Sequence, residues 1–112
     1  LRKMLLTDLR DALLSLNVPV HHFFAHKEKS DQYIVWAEDG EAGSGHADNQ
    51  KTNQVLMGTI DYFTKTEFDG NIKLIQEKLN SLDIAWRLNS IQHEDDTGFI
   101  HYEWAWEMIE NG

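Results

Sequence analysis

The chain has no cysteine. Disulfide frameworks, thiolate nucleophiles and cysteine metal sites are excluded with it, and a reducing cytoplasm suits a chain without thiols. Cations are scarce as well: ten Lys and Arg stand against nineteen Asp and Glu, a formal charge of −9. A surface of that sign repels a phosphate backbone and an anionic leaflet, which argues against nonspecific nucleic-acid binding and against membrane docking. Long apolar runs are missing too, and none approaches the roughly 20 residues that span a bilayer. Residues 1–6 hold two cations but neither the apolar stretch nor the small-residue cleavage site of a signal peptide. Leu1 is not an initiator residue, so a trimmed chain or a native start at Met4 is expected.

Catalytic signatures are equally thin. Ser44 lies in a Gly-rich stretch, and Ser15, Ser30, Ser81 and Ser90 have no nucleophile elbow around them. Residues 40–45 lack the strand-to-helix setting of a dinucleotide loop, and no Gly-Lys-Ser/Thr phosphate cradle occurs. Six His raise a metal reading, with His21, His22 and His26 close together and His46 among Glu38, Asp39, Glu41 and Asp48. Neighbours on a strand point to opposite faces, so His21 and His22 do not share an ion easily, and solvated polar residues are the simpler reading. The acidic run at 38–41 lacks the alternating register and closing Glu of a calcium loop, and nothing there fixes two carboxylates for acid–base work. No catalytic, cofactor or metal residues are expected.

What is present is a core. Apolar residues make up 41% of the chain and aromatics 11%, far from the composition of a disordered chain, and 112 residues suit one domain, 1–112. Leu6, Leu9, Leu13 and Leu16 share a helical stripe, ended near Asn17 by a left-handed residue and by Pro19. Two short strands, 20–25 and 33–37, flank a polar linker that suits a hairpin. Residues 38–54 carry three Gly and no large apolar side chain, which predicts a flexible polar loop. A strand over 55–64 reads as buried on both faces, with Gly58 as a bulge. Asp69 caps a second helix whose Ile72, Ile75, Leu79 and Leu82 repeat the stripe.

Strands at 86–92 and 99–108 then enclose an Asp-rich turn that ends in Gly98. The last of them alternates closely. Ile100, Tyr102, Trp104, Trp106 and Met108 form one face, and Phe99, His101, Glu103, Ala105 and Glu107 the other. The expected fold is α+β in the order αβββαββ, a mainly antiparallel sheet packed against two amphipathic helices. Trp36, Trp86, Trp104 and Trp106 are read as packing residues before a sugar platform. Phe99, His101, Glu103 and Glu107 mark a surface for a neighbouring molecule.

The element order, the strand GTIDYFTKTEFD with the helix after it, and the final hairpin HEDDTGFIHYEWAWE resemble the tail terminator, or tail completion, proteins of long-tailed bacteriophages. The resemblance implies a structural subunit without enzymatic activity that forms a hexameric ring, caps the tail tube and joins it to the head. Its partners would be further copies, tail-tube and neck proteins, with DNA only as passing cargo. Its place would be the host cytoplasm during assembly and then the virion neck. The loop residues Glu38, Asp39, Glu41, His46 and Asp48 would then reach a neighbour or the lumen. Two other classes stay open on the residues alone: an acidic inhibitor that mimics DNA, and a small ligand-binding module with the aromatic sheet as its pocket.

Overall fold

The structure, a computed structural model, describes residues 3–42 and 54–110. Leu9 and Leu13 must leave water together, and a four-residue step stacks them on one side of a helix. That helix, α1, runs Leu6–Leu14 with both side chains wholly buried. Its entry is tied by Asp8, whose carboxylate accepts the Leu5 N–H at 3.0 Å. It closes at Ser15 in ordinary right-handed backbone, φ −73° and ψ −13°, earlier than Asn17 and without the left-handed residue expected there. Among the described non-glycine residues, left-handed backbone occurs at Phe23, Lys27 and Phe68.

The elements follow in the order β1 (Lys3–Met4), α1, β2 (Val20–His22), β3 (Gln32–Glu41), β4 (Gln54–Thr64), α2 (Asn71–Ser81), β5 (Ala85–His93) and β6 (Ile100–Glu110). The class is α+β, and the order αβββαββ is found with a two-residue strand ahead of it. The sheet runs β1-β6-β4-β3-β2, and β5 pairs with β6 as well. Its three long pairings, β3 with β4, β4 with β6 and β5 with β6, are antiparallel.

The sheet departs from expectation in four places. β2 stops at His22 and pairs parallel to β3, not as a hairpin. Composition cannot distinguish the two, because a nine-residue connection, 23–31, is long enough to bring the chain back to the same end of a three-residue strand. β3 extends through Glu41, so Glu38, Asp39 and Glu41 are strand residues, not loop; most of the remaining 38–54 stretch lies outside the described residues. β4 is buried on one face and only half-buried on the other. Gly58 forms no bulge: the irregularities fall between Glu38 and Gly40 in β3 and between Leu88 and Ser90 in β5.

Gly58 has a different purpose. A Cβ there would come within 2.0 Å of the Ala37 carbonyl and 2.5 Å of the Trp106 ring, so only hydrogen fits beneath that indole. Trp106 lies opposite Gly58, Trp104 opposite Ile60, and Tyr102 opposite Tyr62. Residues opposed across an antiparallel pair share a face. Ile34 and Trp36 continue these rows on β3, and Ile75 and Leu79 of α2 close over them with Leu9 and Leu13 of α1. Both helices therefore cover one and the same face.

A buried polar cluster locks α2 to that face. The Asp69 carboxylate accepts bonds from the Tyr62 hydroxyl at 2.6 Å, the Thr64 hydroxyl at 2.6 Å and the Gln32 amide at 2.9 Å. Its other oxygen accepts the Asn71 N–H at 2.9 Å, so Asp69 ties down the start of α2, although the residue in the N-cap position is Gly70, one later than the sequence indicates. Burial alone would raise the Asp69 pKa, but these four donors outweigh it and hold the carboxyl below its ordinary range. The same burial, with the Asp69 carboxylate beside it, pushes the Tyr62 hydroxyl up to about 12.

Candidate interaction face

The alternation that fills the core places a second set of side chains on the opposite side of the sheet. His101 lies opposite Phe63, and Phe63 opposite Tyr33. The next row is Glu103, Asp61 and Val35, then Ala105, Thr59 and Ala37, then Glu107, Met57 and Gly40. On the far side of β6, β5 adds Gln92, Ser90, Arg87 and Ala85 to these same rows. Every strand residue of the buried core belongs to the other rows, and the core residues of both helices pack with them, so no described helix covers this face.

One end of the face is aromatic. The rings of Tyr33 and Phe63 stack with centroids 4.8 Å apart and planes 17° apart, and Phe63 and His101 stack at 4.2 Å and 20°. Phe99 meets Tyr33 and Phe63 edge-on, and the Lys65 ammonium lies 4.9 Å from its ring centre. Rings stacked flat against one another across strands stand upright on the sheet and turn their edges outward. They are a packing surface, not a flat platform for a sugar or a base. Phe24 and Ala25 from the 23–31 connection border a shallow depression of about 350 Å³ beside this column.

Charge along the face is arranged in compensating pairs. Asp61 and Glu103 lie directly opposite each other, an unfavourable placement for two carboxylates. His101 relieves it through a 2.6 Å bond from Nε2 to Asp61 Oδ1, and the Asn89 amide donates to Glu103 at 2.7 Å. The bond to Asp61 raises the His101 pKa; burial opposes this, and the fields of Asp61, Glu103 and Glu94 reinforce it. The Tyr33 hydroxyl is raised by burial first and then by Glu94 and Glu28.

The other end is a groove of about 380 Å³. The short residues Gly58, Thr59, Ala85 and Ala105 line it together with Met57, Trp86, Arg87 and Trp106, and Asp39 and Glu107 add carboxylates to its rim. Asp39 reaches this rim because the β3 bulge falls there.

Of the residues singled out in the sequence, Phe99, His101, Glu103 and Glu107 lie on this face and Asp39 joins its groove. Glu38 and Glu41 fall in the rows of Gly58 and Leu56 on the helix-bearing side, and Glu38 bonds His22 Nε2 at 2.6 Å. His46 and Asp48 lie outside the described residues. His21 bonds Glu28, so the adjacent pair His21 and His22 serves two different carboxylates. Among the described residues no three His, Asp or Glu side chains gather as a metal site, and no helix is long and apolar enough to cross a membrane.

Sequence reasoning missed Tyr33, Asp61 and Phe63. For Asp61 and Phe63 the signal was the alternation in 54–64, where a charged Asp61 between Ile60 and Tyr62 marks a face that is not core.

No protein-family model matches the chain, and no curated protein matches its sequence. Among solved structures it is similar to the sheath/tube terminator of an extracellular contractile injection system, PVC, in its extended state, with a TM-score of 0.45 and 10% identity. The likeness covers 100% of this chain and 59% of that one, so the chain spans less than two thirds of its length. At this score the likeness is one of outline, and the functional reading rests on the chain's own surface.

Proposed function

We propose that this chain is a structural assembly subunit of a tail, of the terminator type its sequence resembles, and that it works without catalysis. One observation carries the reading: a sheet with both helices on one face, whose other face holds a packed aromatic column, a small-residue groove and paired carboxylates. A half-buried aromatic surface with a polar rim is what a subunit presents to a neighbour. Polar groups on that face are engaged with one another, His101 with Asp61 and Asn89 with Glu103. In this reading the subunits close into a ring, six by resemblance, that caps the tail tube and meets the neck. The acidic charge then lines a conduit to which DNA does not adhere.

The test is the mass of the purified protein by light scattering over a concentration series, with electron microscopy of the protein alone and mixed with tail tubes. The expected result is a ring that sits on tube ends. A single chain at every concentration, with bare tube ends, would overturn it.

A further inference from the structure

One acid on the open face depends on a proton for its partner. Asp61 stands in mid-sheet on β4, between Val35 of β3 and Glu103 of β6. Among the described residues its carboxylate has a single side-chain partner, His101 Nε2 at 2.6 Å, and the His101 and Asp61 side chains are only 21% and 18% exposed. The imidazole is fixed twice over: Asp61 holds its edge, and Phe63 lies against its flat side at 4.2 Å and 20°. A protonated ring gains from both, the carboxylate charge and the aromatic face. A neutral ring still donates its N–H to Asp61 but leaves the carboxylate charge uncompensated. The two states share one geometry and differ by one charge.

No described neighbour takes over when the proton leaves. Opposite His101 on β5 is the uncharged Gln92, with Glu94 just past the end of that strand, and Glu103 follows His101 on β6 with Asn89 as its own donor. On β3 the neighbours are Tyr33, whose hydroxyl is held above its ordinary range and so stays neutral, and Val35. His21 of β2 lies in the row of Val35 but is bonded to Glu28. Lys65 is turned to Asp31 at 3.5 Å and to the Phe99 ring, and Arg87 is two rows from His101, at the groove. Both helices are on the other side of the sheet.

The pair is placed where a contact would cover it. His101 and Asp61 stand in the wall of the depression of about 350 Å³, with Tyr33 and Phe63. Covering a mutually neutral ion pair costs far less than covering a lone carboxylate, which loses its water and gains no counter-charge. In a chain of net charge −9 a second copy brings further acid to the same contact, so the penalty is not relieved from outside.

We infer that the His101 proton gates contact between copies at the open face: copies join while His101 is charged and part as it becomes neutral. This rests on the reading above, that the face meets a further copy, and adds the condition under which it does so. Covering the pair favours the protonated ring. Association is therefore complete below about 6.5 and is lost as pH rises through the value His101 takes in the assembly, a value the Asp61 bond already raises in the single chain.

Light scattering at constant ionic strength, stepped from pH 5.5 to 8.5, tests the gate. Wild-type association is expected to weaken by up to about tenfold per pH unit for each His101 covered at a contact. His101→Phe keeps the ring stack without the proton and should associate at every pH as weakly as wild type does at pH 8.5; adding Asp61→Asn to it should restore association at every pH. His93→Gln removes a histidine from the helix-bearing side, where it meets Asp95, and should leave the pH step in place. A second measurement does not need the variants to fold: the His101 ring is titrated by NMR in dilute and in assembled wild type, and its pKa should be higher in the assembly. A pH step that survives His101→Phe, or the same His101 pKa in both states, overturns the gate and leaves self-association standing. Wild type that stays a single chain from pH 5.5 to 8.5 removes the gate and the reading beneath it together.

Discussion

The two faces of the sheet are made from the same strands and differ by one residue of phase. On the covered side, Ile34, Ile60, Tyr62, Trp104 and Met108 are wholly buried, and the fit is tight enough that Gly58 cannot take a methyl group. On the open side, aromatic rings pack upright against one another and acids are balanced by neighbours, but nothing described lies on top. One face spends its apolar surface within the molecule, and the other keeps it for contacts outside. The difference teaches that burial fraction, more than residue type, separates the two uses: Tyr62 stands on the covered face and Tyr33 on the open one, and only the helices decide which set is core.

The sharpest way to break the comparison is substitution on the covered face. Trp104→Ala is expected to cost about 3–5 kcal/mol, read by urea denaturation, because a wholly buried indole leaves a cavity that its neighbours fill only in part. Gly58→Ala should cost about 1–3 kcal/mol or more, since the Ala37 carbonyl it would strike is backbone and must move with its strand. An open-face change of similar size, Phe63→Ala, is expected to cost far less in stability and to act on association. Equal losses from Trp104→Ala and Phe63→Ala would erase the distinction between the faces.

Asp69→Asn comes next, at about 2 kcal/mol, because an amide offers one acceptor oxygen where donors from Tyr62, Thr64, Gln32 and Asn71 now converge on two. Its pH dependence has a definite sign. The folded-state pKa of Asp69 is lowered, so its contribution is present above the unfolded value of about 3.9 and is lost as pH falls through the folded value. Acid unfolding of Asp69→Asn should be correspondingly less steep.

On the open face the sign reverses. The His101 pKa is raised, so its pairing with Asp61 stabilises fully below about 6.5 and the contribution is lost as pH rises through the folded value. A small drop in thermal midpoint between pH 5.5 and 8.5, abolished in His101→Phe, is the expected result. The smallest effect on folding is expected from Glu103→Arg, within about 0.5 kcal/mol, with a visible loss of assembly. Assembly unchanged by that reversal of charge would move the interface off this face.

Much of the covered face was legible beforehand. The 3.6 period of Leu9, Leu13, Ile75 and Leu79 and the 2.0 period of β6 each follow from one local rule, and both are found. What escaped was whatever depends on two distant segments at once. The parallel pairing of β2 needs the backbone turns at Phe23 and Lys27, whose left-handed geometry no residue type there announces. The role of Gly58 needs Trp106 above it. Asp69 was readable as a helix-start residue, but its four donors include Gln32, thirty-seven residues away. Half of the open face was visible in β6 alone; the other half, Tyr33, Asp61 and Phe63, required the register of three strands.

β6 is the strand that makes the sheet one object. It is bonded to β4, to β5 and to β1, while β2, β3 and β4 hold one another without it and, among the described residues, β5 has no other strand partner. Until β6 is in place the described strands form three separate groups, β1, β5 and β2–β4, and joining the last to β6 closes a loop from Gln54–Thr64 to Ile100–Glu110. Folding speed is therefore tied to a long-range search, with the β5–β6 hairpin as the only local step toward it. During synthesis, the earlier segments must wait for β6, with their apolar side chains open to any other chain nearby.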